Sequence, residues 1–264
     1  MIEWRLASLP TPLLGVLVVG AAIALAVAGL VLVRRLVSLS VLEANHEVGG
    51  ILIQIVSPAY AVLLAFIVFA VWTQHDDADS FVAEEANKIA NLFHNVRALS
   101  EPAQGQILVG LRQYGQVVID HEWETMARGE ASQQAWDAYD SLVALLYGMD
   151  PPSGRESGFY RACVENVNAL GDLRSRRLLS SRTTLPTVLW ILLIGGGAIT
   201  IGFSFLFGAK NLWAQALMTA AAAGSIAFFL FLILVTDLPF TGDLKVTPEA
   251  IQLVLDHFKP PAGQ

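Results

Sequence analysis

The chain has one cysteine, Cys163, in 264 residues, so it has neither an intrachain disulfide nor a cluster of thiolates around a metal. That usage fits a reducing compartment. Charge is also scarce: 15% of residues are charged, and the acids outnumber the bases to leave a net −7. This balance argues against nucleic acid as a partner. Alternating apolar and polar runs are missing, which excludes the roughly 10-residue strands of a membrane barrel. The motifs of catalysis are missing too. His121 and Glu122 begin as a zinc-protease helix does, but Thr125 stands where the second histidine belongs, and His46 with Glu47 fails likewise. No G-x-S-x-G elbow occurs. The glycine run Gly195, Gly196 and Gly197 lies inside an apolar stretch, where it favours close helix approach over phosphate binding. The expectation is a protein that is not an enzyme and has no cofactor and no metal site.

What the chain does have is long hydrophobic runs, and its mean hydropathy is +0.56. Leu13 to Val33 carries no charge and ends at Arg34 and Arg35. Gly49 to Trp72 is interrupted only by Gln54, Ser57, Pro58 and Tyr60, and Leu185 to Gly208 and Leu212 to Val235 follow much later. Each reaches the roughly 20 residues that a helix rising about 1.5 Å per residue needs to cross a bilayer. A cleaved signal peptide is the alternative for the first run, with Ala26 to Gly29 as a small-residue site. Its length, and an arginine pair that follows it rather than precedes it, favour a crossing.

The fold class read from this is all-α: four transmembrane helices with a helical domain inserted between the second and third. The domains are a first helix pair in 1–72 (13–33 and 49–72), an inserted domain in 73–184, a second pair in 185–235 (185–208 and 212–235), and a tail in 236–264. With four crossings, both termini and the insert share a side. Arg5, Arg174, Arg176, Arg177, Arg182 and Lys245 flank the membrane there, against Arg34, Arg35 and Lys210 on the other. The positive-inside rule makes the richer side cytoplasmic and the location a bacterial-type inner, or plasma, membrane, although Arg34 and Arg35 pull the other way.

The insert reads as helical throughout, with breaks at Pro102, Gly129 and the Pro151, Pro152, Gly154 cluster. No breaker separates Pro58 from Ser100, so the second crossing is expected to run on as the first helix of the insert. That helix carries a stripe of Val82, Ile89, Leu92, Phe93, Val96 and Leu99. Ser100 and Pro102 suit the start of a second helix with Ile107, Leu111, Tyr114 and Val118, a third covers about Ser132 to Tyr147, and a fourth about Ser157 to Ser181.

Three features carry functional expectations. Gln54, Ser57 and Ala61 share a face of the second crossing near Tyr60, and polar side chains at that depth either bond to neighbouring helices or line a water-filled path. At the end of the fourth crossing, an acid at a helix C-terminus is disfavoured by the dipole, so Asp237 is expected to pair with Arg174 or Arg177. The small residues Ala216, Ala220 and Gly224, like Gly20, Ala24 and Ala28, repeat every fourth position and suit helix packing, within or between subunits.

The layout of two crossings, a helical insert and two further crossings resembles the bestrophin-like family of bacterial and plant membrane proteins. The matching residues are Glu84, Glu85 and Ala86 after the second crossing, Glu122 with Trp123, Arg174 with Arg177, and Pro186, Leu189 and Trp190 at the third crossing. Asp237, Pro239, Phe240 and Gly242 after the fourth form the most specific part, and the resemblance spans 49–249. Bestrophins proper are pentameric ion channels with the second helix around the pore, and a similar Pro-Phe-Gly stretch leads into calcium-binding acids. Only Asp243 follows closely here, so calcium gating is not carried over. The resemblance implies a homo-oligomer, a pentamer by likeness, in a lipid bilayer with inorganic ions as permeants. Gln54, Ser57 and Tyr60 would form the polar part of the pore, and Val62, Phe66 and Phe69 an apolar constriction of the kind that gates by dewetting. A non-conducting scaffold or sensor is the alternative.

Overall fold

A computed structural model describes residues 10–44, 46–150 and 153–259, and side chains outside 43–48. Every regular element among the described residues is helical. Arg5 of the orientation count, and Pro151 and Pro152 of the expected breaker cluster, lie outside the described residues.

The chain divides into two compact units. The first comprises Met1–Thr73, Thr184–Asp237 and Gly242–Leu244, and the second Gln74–Thr183, Leu238–Thr241 and Lys245–Gln264. The chain enters α1 (Thr11–Leu36) at Pro10, whose carbonyl accepts from Leu13 and Leu14, with Pro12 in the first turn where a missing N–H is harmless. A short α2 (Leu39–Ala44) follows, then α3 (His46–Val96), a single helix of 51 residues that contributes to both units and has Pro58 inside it. The third and fourth apolar runs form α8 (Thr187–Phe205) and α9 (Leu212–Thr236). Asn211 caps α9, its side chain accepting from the backbone of Trp213 and Ala214. These two, α1 and the apolar part of α3 are four helices long and apolar enough to cross a membrane.

In the first unit α1 packs along α9, Gly15 facing the Phe231 ring and Gly224 facing Ile23. The interface between α3 and α8 is tighter still. A Cβ at Gly196 would stand 2.6 Å from Cδ2 of Tyr60, so only glycine there admits the ring. The small stripe Ala216, Ala220 and Gly224 is half-covered, whereas Gly20, Ala24 and Ala28 lie mostly uncovered.

The second unit is a helical bundle. Besides the C-terminal part of α3 it holds α4 (Ala103–Val117), a π turn (Val118–Glu122), α5 (Trp123–Met126), α6 (Gln133–Tyr147) and α7 (Glu156–Ser180). Ser132 caps α6 by accepting from Ala135. Gly129 and Gly154 take positive φ, 71° and 67°, at the two reversals. The stripe of Val82, Ile89, Leu92, Phe93 and Val96 is buried against Leu111, Leu142, Cys163 and Val167.

The segment 236–264, expected as a tail, contributes its described residues to the two units, most of them to the second. Its helix α10 (Glu249–His257) buries Ile251 and Leu255 in the core of the second unit. Phe258 stacks on Phe93 at 4.5 Å, and Arg112 donates to its carbonyl. An amphipathic nine-residue helix gains its stability from such docking rather than from propensity.

Candidate functional site

The helical repeat of about 100° per residue gives the apolar part of α3 two distinct faces. Tyr60, Leu64, Ile67 and Val71 recur at spacings of four, three and four, and all are buried against Leu193, Ile233, Leu189 and Trp190. On the opposite side Val62, Phe66 and Phe69 are 55%, 67% and 68% exposed. Two expectations change as a result. Tyr60 does not belong with the exposed residues: its ring is wedged against Gly196 and Gly197, and its hydroxyl donates to the Leu193 carbonyl at 2.9 Å. Gln54 is exposed but about a quarter-turn from the phenylalanine stripe, while Ser57, half-buried, lies beside the covered face.

The second unit encloses a network of charged side chains. Arg177, whose side chain is 0% exposed, donates from Nε to Glu85 Oε2 at 2.6 Å and from Nη2 to Glu85 Oε1 at 3.1 Å and Glu122 Oε2 at 2.8 Å. Arg174 holds the other edge of Glu122, Nη2 to Oε1 at 2.5 Å and Nε to Oε2 at 3.1 Å. Tyr114 adds a hydroxyl donated to Glu85 at 2.8 Å. The two guanidiniums lie over indoles, Arg177 at 4.9 Å from the Trp123 ring and Arg174 at 4.2 Å from that of Trp136. Arg174 Nη1, buried as well, has no acceptor among the described residues, but two acids and two bases cancel and every carboxylate oxygen has a donor. That is the condition under which buried charge is tolerated.

Local sequence explains how each charge gets inside. In α7 the positions Cys163, Val167, Leu170, Arg174 and Arg177 follow one helical stripe, so the arginines point where the apolar residues point. Glu85 sits on the α3 stripe between Val82 and Ile89. Glu122 closes the π turn, an insertion often found at functional sites, and is buried while the adjacent His121 is exposed. The electrostatics follow the geometry. Burial by itself would raise the Glu122 carboxyl, but Arg177 and Arg174 outweigh it and hold it below the usual range. Burial, reinforced by Glu85, keeps the Tyr114 phenol well above its ordinary value.

Within the second unit the two guanidiniums expected to pair with Asp237 are bonded to Glu122 and Glu85. Asp237 Oδ1 accepts from the Leu185 backbone N–H at 2.8 Å, at the approach to α8. Asp243 Oδ2 accepts from Thr11 N at 2.7 Å. In the second unit Phe240 is buried edge-on to Trp123 at 6.0 Å, and the Trp123 indole donates to the Val246 carbonyl. Pro239 accepts from Val246 N at 2.7 Å, and Gly242 supplies a φ of 72° that other residues rarely adopt.

The Bestrophin-like domain family matches this chain over residues 20–251. The chain belongs to that family. No curated protein and no solved structure matches it. The family match and the four apolar helices make it a bestrophin-like membrane protein.

Of the residues that carried the bestrophin-like resemblance, Glu85, Glu122, Trp123, Arg174, Arg177 and Phe240 meet in one buried cluster. Glu84 is exposed, and Trp190 packs on the core beside Tyr60. Tyr114, Trp136 and Met126, whose Sδ accepts from Arg177 Nη1 at 2.6 Å, complete the cluster and were not singled out as site residues. A tyrosine or methionine on an apolar stripe reads as core, and only the charges it meets reveal a second role.

Proposed function

We propose that this bestrophin-like protein is a homo-oligomeric ion channel in which α3 lines the pore. It is not an enzyme and conducts inorganic ions. It lies in the inner, plasma, membrane with both termini and the second unit on the cytoplasmic side. The observation that carries the proposal is the division of α3 into a covered face, Tyr60, Leu64, Ile67 and Val71, and an uncovered face, Val62, Phe66 and Phe69. Apolar rings of that kind gate by dewetting. Gln54 provides a polar approach to them, and Ser57 and Tyr60 serve the packing of α3. The uncovered small stripe Gly20, Ala24 and Ala28 supports close contact with a neighbouring subunit.

A second reading, a non-conducting scaffold or sensor, is favoured by the uninterrupted 51-residue helix, which carries both an apolar segment and the bundle stripe. The purified protein reconstituted in planar bilayers separates the two. Conduction predicts unitary currents that rise when Phe66→Ala opens the constriction, from an assembly of more than two subunits by native mass. Silent bilayers, or currents indifferent to Phe66, refute the channel. A monomer or dimer favours the scaffold.

A further inference from the structure

Arg34 and Arg35 stand at the end of the first crossing that carries fewer cations, and they differ in surroundings. Arg35 is exposed, whereas Arg34 is half-buried, with Nη1 shut off from solvent. That Nη1 has no hydrogen-bond partner among the described residues. The side chains of Glu43 and Glu47, in the same connection, lie outside the described residues. A guanidinium nitrogen removed from water without an acceptor is unfavourable, and among the described residues none supplies Nη1 with an anion.

Three residues further on, just past the end of α1, Val37 forms part of a cleft of about 300 Å³ whose other walls are Val41, Leu42, Gly49, Leu52, Phe203 and Leu206. Val37 is the extended C-cap of α1, its N–H still bonded to the Val33 carbonyl, so the cleft begins at the end of the turn that carries Arg34. The packing within the first unit agrees. The start of α1 meets Asp243 beyond the end of α9, and Gly29 near its other end meets Phe205. The end of α1 therefore lies by the α8–α9 turn, where Lys210 adds a further cation.

A guanidinium nitrogen with no acceptor among the described residues, beside an apolar cleft at the end of a membrane-crossing helix, fits a molecule with a phosphodiester at one end and an acyl chain at the other. We infer that the first unit binds an anionic phospholipid, its phosphate on Arg34 and an acyl chain in the cleft bounded by Val37, Leu52 and Phe203. The arginine pair that weakens the charge asymmetry of the sequence thus has a local use. Arg34 completes a lipid site, and Lys210 and Arg35 favour a net negative headgroup.

The test is native mass spectrometry of the full-length protein in detergent, with added phosphatidylglycerol or phosphatidylcholine. Wild type should retain phosphatidylglycerol in preference to phosphatidylcholine. Arg34→Gln should lower that retention about tenfold, the loss expected for one charge-assisted hydrogen bond. Arg35→Gln should change it less than twofold. Leu52→Trp, which fills the cleft and keeps every charge, should lower retention of both lipids, and soluble glycerol phosphate should fail to compete. Unchanged retention in Arg34→Gln, an equal loss in Arg35→Gln, or full competition by glycerol phosphate overturns the site. If Arg34→Gln does not yield folded protein, Arg34→Lys and Leu52→Trp decide: retention at wild-type level in Leu52→Trp overturns it, and a loss there with partial retention in Arg34→Lys upholds it.

Discussion

Replacing Arg177 by methionine keeps the length and apolar stem of the side chain and deletes the guanidinium that joins Glu85 to Glu122. Its side chain is 0% exposed, as are those of both carboxylates. Glu122 would keep Arg174, but Glu85 would keep only the Tyr114 hydroxyl. Breaking a buried pair on one side costs about 3–5 kcal/mol, because the remaining charge is left desolvated. At about 2–4 °C per kcal/mol for a domain of some 150–250 residues, the melting midpoint should fall by about 6–20 °C. The exposed pair Arg128–Glu124, with side chains 55% and 72% exposed, provides the contrast. Glu124→Gln should shift the midpoint by about 1 °C, as exposed pairs contribute little. The decisive measurement is a double-mutant cycle in detergent by scanning calorimetry. Glu85→Leu alone also strands charge, yet Arg177→Met with Glu85→Leu removes both members and should recover about 2 kcal/mol of the summed loss. A fall of less than about 3 °C for Arg177→Met, or strictly additive single effects, would refute the claim that the network is coupled.

The Glu122 carboxyl titrates below its ordinary 4.5, so the stability it contributes is complete above that pH and drains away as pH falls through the lower folded value. A thermal midpoint followed from pH 7 downward should decline more shallowly in Glu122→Gln than in wild type below about 4.5, and parallel curves would contradict the assignment. Burial pushes the Cys163 thiol up to about 11. A maleimide at pH 7.5 should therefore leave the folded protein unlabelled and modify it once denatured, and rapid labelling of native protein would show the core to be open. Gly196→Ala forces a methyl to within 2.6 Å of the Tyr60 ring and should cost about 1–3 kcal/mol. Adding Tyr60→Ala should erase that increment, and an unrelieved loss would place the clash elsewhere.

The sequence by itself determined the parts that depend on local pattern. Four uncharged runs of crossing length specify four helices, because lipid offers backbone groups no partner other than their own helix. The absence of a breaker after Pro58 gave one continuous α3, and Ser132 and Gly129 marked the helix boundaries where they are found. The family resemblance singled out Glu85, Glu122, Arg174 and Arg177, but not their partners. Only the tertiary structure decided those. Asp237 and the arginines looked matched by charge alone, yet Glu85 and Glu122 hold the arginines from positions 92 and 55 residues away from Arg177. Partner choice is a property of packing, set by which stripes face one another and by a π turn that rotates Glu122 inward. Tyr60 follows the same logic. A polar residue in a crossing gives no sign of which way it faces until a neighbouring glycine leaves room for its ring.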